Sequence, residues 1–385
     1  MKIEAITARE LSMRLIAPFE TSFGVLQQRR VALLEMRTDV GVGWSELTAL
    51  EGPFYNAETI DTAWMMLRDF LSGLVLDVEI NSPEDLGPLM EKVRGQEMAK
   101  AAIECAAWHA FAISKGLTLS KALGGAQHPI ASGVSLGIQA DTGKLLDLIE
   151  TELASGYQRV KLKIKPGKDL AVVAAVRKRF PAIDLTVDGN SAYKLADVEL
   201  LRGLDGFGLS YIEQPLRWND IYQHSLLQPQ LKTALCLDEC IHSLADTETA
   251  IALGACRVIN IKLGRVGGHS EARRIQDFCL QKNIPVWCGG MLETGIGRAH
   301  NIAMSTLPGF TLPGDVSASA RYWVEDLIEP EIVVSPQGEI QPPTGVGLGF
   351  RLRLREIENR TTRREEWTNH IGIPVSHDPQ AVPMQ

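Results

Sequence analysis

The sequence predicts an α/β protein whose larger part is a (β/α)-barrel, preceded by a smaller α+β domain. Three observations carry this reading. Short β-branched runs recur at a nearly constant interval from Ile130 onward, helical stretches separate them, and the chain before about residue 125 does not share the period.

Eight such runs can be counted: Ile130–Leu136, Arg159–Ile164, Asp184–Asp188, Leu209–Glu213, Ala234–Asp238, Val258–Lys262, Pro285–Cys288 and Phe310–Leu312. Between them, segments such as LLDLIETELASG and EARRIQDFCLQKN place apolar residues at i, i+3 and i+4, as a helix with one buried face requires. Strand, helix, strand at this spacing is the βαβ unit, and eight in succession close into a barrel more naturally than into an open sheet. An open doubly wound sheet would want a GxGxxG turn after an early strand, and the chain has none. Upstream, KIEAITARELSMRL and RRVALLEMRTD alternate as strands do, and MAKAAIECAAWHAFAISKG reads as a small-residue helix. Downstream, the Pro/Gly-rich SPQGEIQPPTGVGLGF leads into the charged RLREIENRTTRREEW. The final residues, HDPQAVPMQ, read as a loose tail.

Polar residues close the runs. Lys161 and Lys163 end the second, Asp188 the third, Glu213 the fourth, Asp238 the fifth and Lys262 the sixth, so that from Lys163 onward one run ends where the next is due, at an almost unvarying interval. Ionisable groups at one phase of the repeat share one level of the barrel, the C-terminal face, where barrel enzymes keep their chemistry. In VKLKIK the apolar Val160, Leu162 and Ile164 alternate with the lysines, so an outward-facing apolar set turns the lysines inward. Three carboxylates on adjacent strands would repel one another unless a cation sat between them, and ligands that are all oxygen favour Mg²⁺, with Mn²⁺ as the second choice. Strands two and six lie across a ring of eight, so a bound substrate would have one lysine on each face. Lysine is a weak base at its free pKa of about 10.4. Lys161, roughly 6.6 Å from Lys163 along the strand, is expected to lower it by under about two units through like-charge repulsion of roughly 2.5 kcal/mol.

The bulk numbers fit a small-molecule enzyme. A length of 385 residues suggests two to three domains, and 45% hydrophobic with 22% charged residues is ordinary for a globular chain. A net charge of −8 without long basic blocks gives no footprint for nucleic acid. No stretch of about 18 apolar residues occurs and the N-terminus has no long apolar core, so the expectation is a cytoplasmic protein without membrane contact. Six scattered cysteines (105, 236, 240, 256, 279, 288) lack CxxC spacing and read as core filler.

These residues together resemble the enolase superfamily, and more narrowly the N-succinylamino acid racemase/o-succinylbenzoate synthase group of its muconate-lactonising subgroup. The likeness spans nearly the whole chain and rests on KLKIKPG (161–167), VDGNSAY (187–193), IEQPL (212–216), CLDE (236–239), NIKLGRVGG (260–268), PVWCGGMLETGIGR (285–298) and LPGDVSAS (312–319). It implies a modified TIM barrel, (β/α)7β, at 126–320, capped by the domain of residues 1–125. The segment 321–368 would return to the cap and 369–385 form the tail. It implies Asp188, Glu213 and Asp238 as metal ligands, Lys163 and Lys262 as the acid/base pair and Lys161 as the first lysine of a KxK motif at the substrate. Asn190 and Glu239 would stand beside the metal. Ser135 and the segment Gly289, Gly290 and Met291 would line the substrate, and Arg265 would support racemisation. Loops near 21–24 and 51–55 would close on the substrate, with Phe23, Phe54 and Tyr55 in apolar contact. A homo-oligomer is the family habit.

The resemblance further implies abstraction of the proton next to a carboxylate through an enediolate. The overall reaction would be dehydration to o-succinylbenzoate in menaquinone synthesis, racemisation of N-succinyl or other N-acylamino acids, or both. A dipeptide epimerase or a cycloisomerase of the same subgroup is the alternative. Epimerases would show Asp-x-Asp at the eighth strand, where Asp315 is followed by Val316 and Ser317, and mandelate-racemase-like members would show His where this chain has Cys288. Outside the family, a Schiff-base aldolase using Lys262 is a remote alternative that leaves three carboxylates without a role, and a non-catalytic binder would have little need of two facing lysines.

Overall fold

The computed structural model describes residues 1–368; the expected tail, 369–385, lies outside the described residues. The first three strands, β1 (Ile3–Thr21), β2 (Gly24–Thr38) and β3 (Gly41–Leu47), form an antiparallel meander. Helix α1 (Glu97–Ser114) lies on it and is buried on most sides because its small residues permit close approach. The approach is tightest at Gly43 of β3, where an added Cβ would fall 1.9 Å from the Ala106 carbonyl oxygen. Glu58 accepts from the free amides of Met98 and Ala99 at the helix N-terminus, which satisfies donors that the first turn leaves open.

Seven parallel strands follow in unbroken neighbour order: β4 (Gly133–Leu136), β5 (Arg159–Lys163), β6 (Asp184–Asp188), β7 (Tyr211–Glu213), β8 (Ala234–Leu237), β9 (Val258–Ile261) and β10 (Val286–Cys288). Val160, Leu162 and Ile164 are buried in the core shared with the surrounding helices, as the alternation in VKLKIK requires. The expected helices are present as α2 (Thr142–Ala154), α3 (Leu170–Arg179), α4 (Val198–Gly203), α5 (Ile221–Leu227), α6 (Leu244–Ala252), α7 (His269–Gln281) and α8 (Gly295–Ser305). Asp141, Ser243 and Thr294 cap α2, α6 and α8 by accepting from backbone amides.

The last and first runs differ from expectation. Phe310–Leu312 forms no ladder strand; the irregular stretch from Phe310 to Gly314 closes the ring instead, by single parallel bridges from Val286 to Phe310 and from Ser132 to Gly314. Pro313, which has no amide hydrogen, and Gly314 leave no room for a regular ladder there. Ile130–Leu136 splits: residues 130–131 pair with 339–340 outside the barrel, and only β4 enters it.

Strand β11 (Thr361–Trp367), in the segment after the barrel, pairs antiparallel with β1 and completes a four-stranded sheet in the order β11-β1-β2-β3. The tip of the β1–β2 hairpin leans over the barrel mouth, where Ile138 N donates to the Glu20 carbonyl (2.9 Å) and Ser22 Oγ to the Asn190 carbonyl (3.1 Å). On the opposite side, the Glu46 carboxyl of β3 accepts from Thr294 N and Oγ1 at the start of α8 (2.9 and 2.7 Å), satisfying donors at the helix N-terminus. Burial, offset in part by Arg29, pushes the Glu46 carboxyl up to about 8.

Candidate active site

Register explains why so regular a repeat gathers a site. Lys163 pairs with Asp188 and Asp188 with Glu213, so these side chains form a row across β5, β6 and β7, and Ser135 pairs with Lys161 one level below. The three carboxylates are at most 1% exposed. Each meets a cation. Lys163 Nζ donates to Asp188 Oδ2 (2.5 Å), Lys161 Nζ to Glu213 Oε2 (2.7 Å) and Lys262 Nζ to Asp238 Oδ2 (2.8 Å). Arg265 Nη1 donates to Asp238 Oδ1, which places it behind the row of carboxylates and not at the cavity surface.

Phe23, Tyr55, Lys163, Asn190, Lys262, Gly290 and Met291 line one cavity of about 260 Å³ beneath the hairpin. Its remaining wall is largely apolar, from Phe19, Leu26 and Leu50, and Phe54 sits at the lip with 71% of its surface exposed. Ser135 opens into a smaller adjoining cavity. Gly289 lies behind Lys262, and a Cβ there would fall 2.6 Å from the Lys262 Cε and 2.3 Å from Asn260 Oδ1. Asn190 Nδ2 donates to Glu239 Oε1 (3.2 Å). Asn190, Ser191, Gln214 and Leu292, all at or just beyond strand ends, hold positive φ without being glycine, a backbone cost that concentrates where side chains must be aimed.

Sequence reasoning missed several partners. Asp315 Oδ2 lies 2.6 Å from Lys161 Nζ, and its other oxygen pairs with Arg159 (2.7 Å). Asn260 Nδ2 donates to Glu213 Oε1 (2.8 Å), and Gln214 Oε1 accepts from the amide of Asp238 (3.0 Å). The phase of the repeat could have found Asp315, because Cys288 and then Asp315 continue the series beyond Lys262 at only slightly longer steps.

Lys161 does not act as the bare neighbouring charge expected from the strand alone. Burial alone would lower its pKa, but Asp315, Glu213 and Asp188 outweigh that and hold it well above the usual lysine range. Lys262 is likewise raised, with burial overcome by Asp238. Burial and the charge of Asp188 push the Glu213 carboxyl up to about 7, whereas Lys163 and Lys161 keep Asp188 below its ordinary value against the burial penalty.

Could these residues hold a metal? The donors are all oxygen, burial together with the neighbouring Asp188 and Asp238 raises Glu213, and Asn190 Oδ1 and Glu239 Oε2 are buried beside them with no partner. Such a set fits a hard divalent cation. The oxygens of Asp188, Glu213 and Asp238 do not all lie within 4.8 Å of one another; Lys161 Nζ lies 2.7 Å from Glu213 Oε2 and 3.5 Å from Asp188 Oδ2, and Lys262 lies 2.8 Å from Asp238 Oδ2. The trio that does converge among the described residues is Cys105, His269 and His300, where α1 meets α7 and α8. There His300 Nδ1 and His269 Nε2 lie 2.9 Å apart and His300 Nε2 lies 2.9 Å from the Trp44 carbonyl, a hydrogen-bonded join between the two parts of the molecule. The remaining five cysteines are buried and free.

Residues 2–124 match the mandelate racemase/muconate lactonizing enzyme N-terminal domain, and residues 144–357 match the enolase C-terminal domain-like family. The chain therefore belongs to the enolase superfamily, a divalent-metal-dependent class of enzymes. Within that class it belongs to the o-succinylbenzoate synthase/N-succinylamino acid racemase group. It is 49% identical to an o-succinylbenzoate synthase of Geobacillus stearothermophilus (94% of this chain, 96% of the relative). It is 43% identical to an N-succinylamino acid racemase of Amycolatopsis sp (95% and 99%). A crystal structure of an enolase superfamily member from Listeria innocua superposes with a TM-score of 0.92 at 42% identity, covering 96% of this chain and 99% of that one. No helix among the described residues is long and apolar enough to cross a membrane.

Proposed function

We propose that the enzyme removes the proton next to a substrate carboxylate, and that it dehydrates a cyclohexadiene carboxylate to o-succinylbenzoate and racemises N-succinylamino acids. The observation that carries this is the placement of Lys163 and Lys262 on one cavity, each paired with a different buried carboxylate. Asp188, Glu213 and Asp238 would hold Mg²⁺, with Asn190 and Glu239 beside it. When bound, the cation supplies positive charge against the negative charge that develops on the substrate carboxylate.

Lys163 and Lys262 move the proton. In racemisation one takes it from the α-carbon and the other returns it to the opposite face; in dehydration one takes it and hands it to the β-hydroxyl oxygen as the C–O bond breaks, so that water leaves as the C=C bond forms. Lys161, fixed by Glu213 and Asp315, orients the substrate carboxylate. Tyr55 and Arg265 position Lys262 and Asp238, and the apolar wall with Phe23, Phe54 and Met291 takes the side chain. The six free cysteines accord with a reducing, cytoplasmic setting, and we read the working form as a homo-oligomer.

Incubation in D₂O with Mg²⁺ and N-succinyl-L-phenylalanine tests the reading, with α-deuteration and optical rotation followed beside a synthase assay. Deuterium at the α-carbon is the expected result, lost in both Lys163→Ala and Lys262→Ala. Wild-type racemisation in either variant would sink the two-base mechanism.

A further inference from the structure

The N-terminal domain and the barrel meet at a cluster that the chemistry of the barrel mouth does not use. Cys105 comes from α1, His269 from the start of α7 and His300 from the middle of α8. One ring nitrogen of each histidine and the Cys105 sulfur all lie within 4.8 Å of one another, and the residues are 5%, 0% and 2% exposed. Among the described residues no other three His, Cys, Asp or Glu side chains converge so closely.

The hydrogen bonds around the cluster decide what each group offers. Burial keeps both rings neutral at pH 7. His300 Nε2 lies 2.9 Å from the Trp44 carbonyl, which can only accept, so Nε2 carries the proton and Nδ1 the lone pair. His269 Nε2 stands 2.9 Å from that lone pair and satisfies it only by donating, which leaves His269 Nδ1 as a second lone pair, buried with no partner. Hydrogen bonding alone therefore leaves the cluster one partner short. His109, one turn beyond Cys105 on α1, stands outside the set because its Nδ1 already accepts from the Trp44 amide (2.9 Å).

Two imidazoles and a thiol are donors for a borderline-soft cation, in contrast to the oxygen ligands that Mg²⁺ takes. The Trp44 carbonyl behind His300 is the kind of outer hydrogen bond that fixes ring and tautomer at histidine metal ligands. Charge also balances. Binding through sulfur releases the thiol proton to solvent, and the Glu104 carboxyl, which accepts from the His269 amide (2.7 Å), stands beside the thiolate as a second negative charge.

We propose that Cys105, His269 and His300 form a structural Zn²⁺ site, sharing no residue with the carboxylates at the barrel mouth, that clamps the N-terminal domain to the barrel. Three protein donors leave the fourth tetrahedral position to water. The ion ties α1 to α7 and α8, and so fastens the domain that carries Phe23 and Tyr55 to the wall that carries Lys262.

The full-length enzyme is purified from cells grown with added Zn²⁺, dialysed against excess Mg²⁺ to fill the carboxylate site, and its metal counted by mass spectrometry. About one zinc per chain is expected, falling to below about a tenth in Cys105→Ser and in His269→Gln, a variant that keeps the thiol. Stripping the zinc should lower the Tm of the wild type by about 5 °C and leave that of Cys105→Ser unchanged. Enzyme from cells grown with Co²⁺ should show the near-ultraviolet charge-transfer band of a cobalt–thiolate bond, which oxygen ligands do not give. That band should be absent in Cys105→Ser and present in Asp188→Asn. A wild type that retains no zinc and shows no cobalt band overturns the site without any variant. Zinc retained in full by Cys105→Ser, or lost in Asp188→Asn while Cys105→Ser keeps it, assigns the ion elsewhere and overturns the site as well.

Discussion

The phenol oxygen of Tyr55, carried by the N-terminal domain, lies 3.0 Å from Nζ of Lys262 on the barrel wall and 3.1 Å from Oδ1 of Asp238. One hydroxyl therefore accepts from the candidate base and donates to the candidate metal ligand, and Arg265 Nη1 donates to it as well (3.2 Å). Burial and the Asp238 charge raise the Tyr55 pKa, so the hydroxyl stays protonated. Tyr55→Phe should lower kcat about tenfold with a smaller change in KM, because the ring still packs while the orienting contact is gone. Steady-state kinetics would show it, and a variant with unchanged kcat would count against positioning by Tyr55.

Metal dependence gives a second expectation. Exhaustive chelation should abolish α-proton exchange and Mg²⁺ should restore it. Asp188→Asn and Asp238→Asn should weaken Mg²⁺ binding at least about tenfold, read by calorimetry. Tight metal binding in both variants would remove them from the ligand set.

Gly289 bears on Lys262 through space. In Gly289→Ala the new methyl meets the Lys262 Cε at 2.6 Å and Asn260 Oδ1 at 2.3 Å, so the lysine has to move. Turnover should fall by roughly two orders of magnitude, as a misplacement of about 1 Å can cost, while thermal unfolding shows a folded protein.

His300 should tie stability to pH on the acid side. Burial lowers its pKa to about 4, below the unfolded value of about 6.5. The unfolded chain binds the proton first, so the stability contributed by neutral His300 is present above about pH 6.5 and is lost as pH falls toward 4. Measured by urea unfolding, the stability gap between wild type and His300→Gln should therefore shrink by on the order of 1–2 kcal/mol from pH 7 to pH 5. A gap independent of pH would show that the imidazole is not held neutral.

The barrel was legible because its strands impose a spacing on the sequence, and parity within VKLKIK told which side chains turn inward. What stayed hidden depends on contacts between distant segments. Asp315 lies at the far end of the barrel sequence from Lys161, and nothing near either residue announces that they touch; the strand alone suggested a bare lysine neighbour for Lys163, whereas the fold surrounds Lys161 with three carboxylates. The eighth run failed for a local reason, Pro313, that was visible beforehand.

Strand β11 leans on β1 across nearly the whole described chain, from Ile6 opposite Trp367 to Leu11 opposite Thr361. During translation β1 is made first and β11 nearly last, so the whole barrel is synthesised while one edge of the N-terminal sheet stands open. An open edge is a template for any passing strand, including β11 of a neighbouring nascent chain. Birth order thus makes exchange of C-terminal strands between copies the characteristic error of this topology, and a chain ending at residue 360 should aggregate through that edge under conditions where the full-length protein keeps its native assembly.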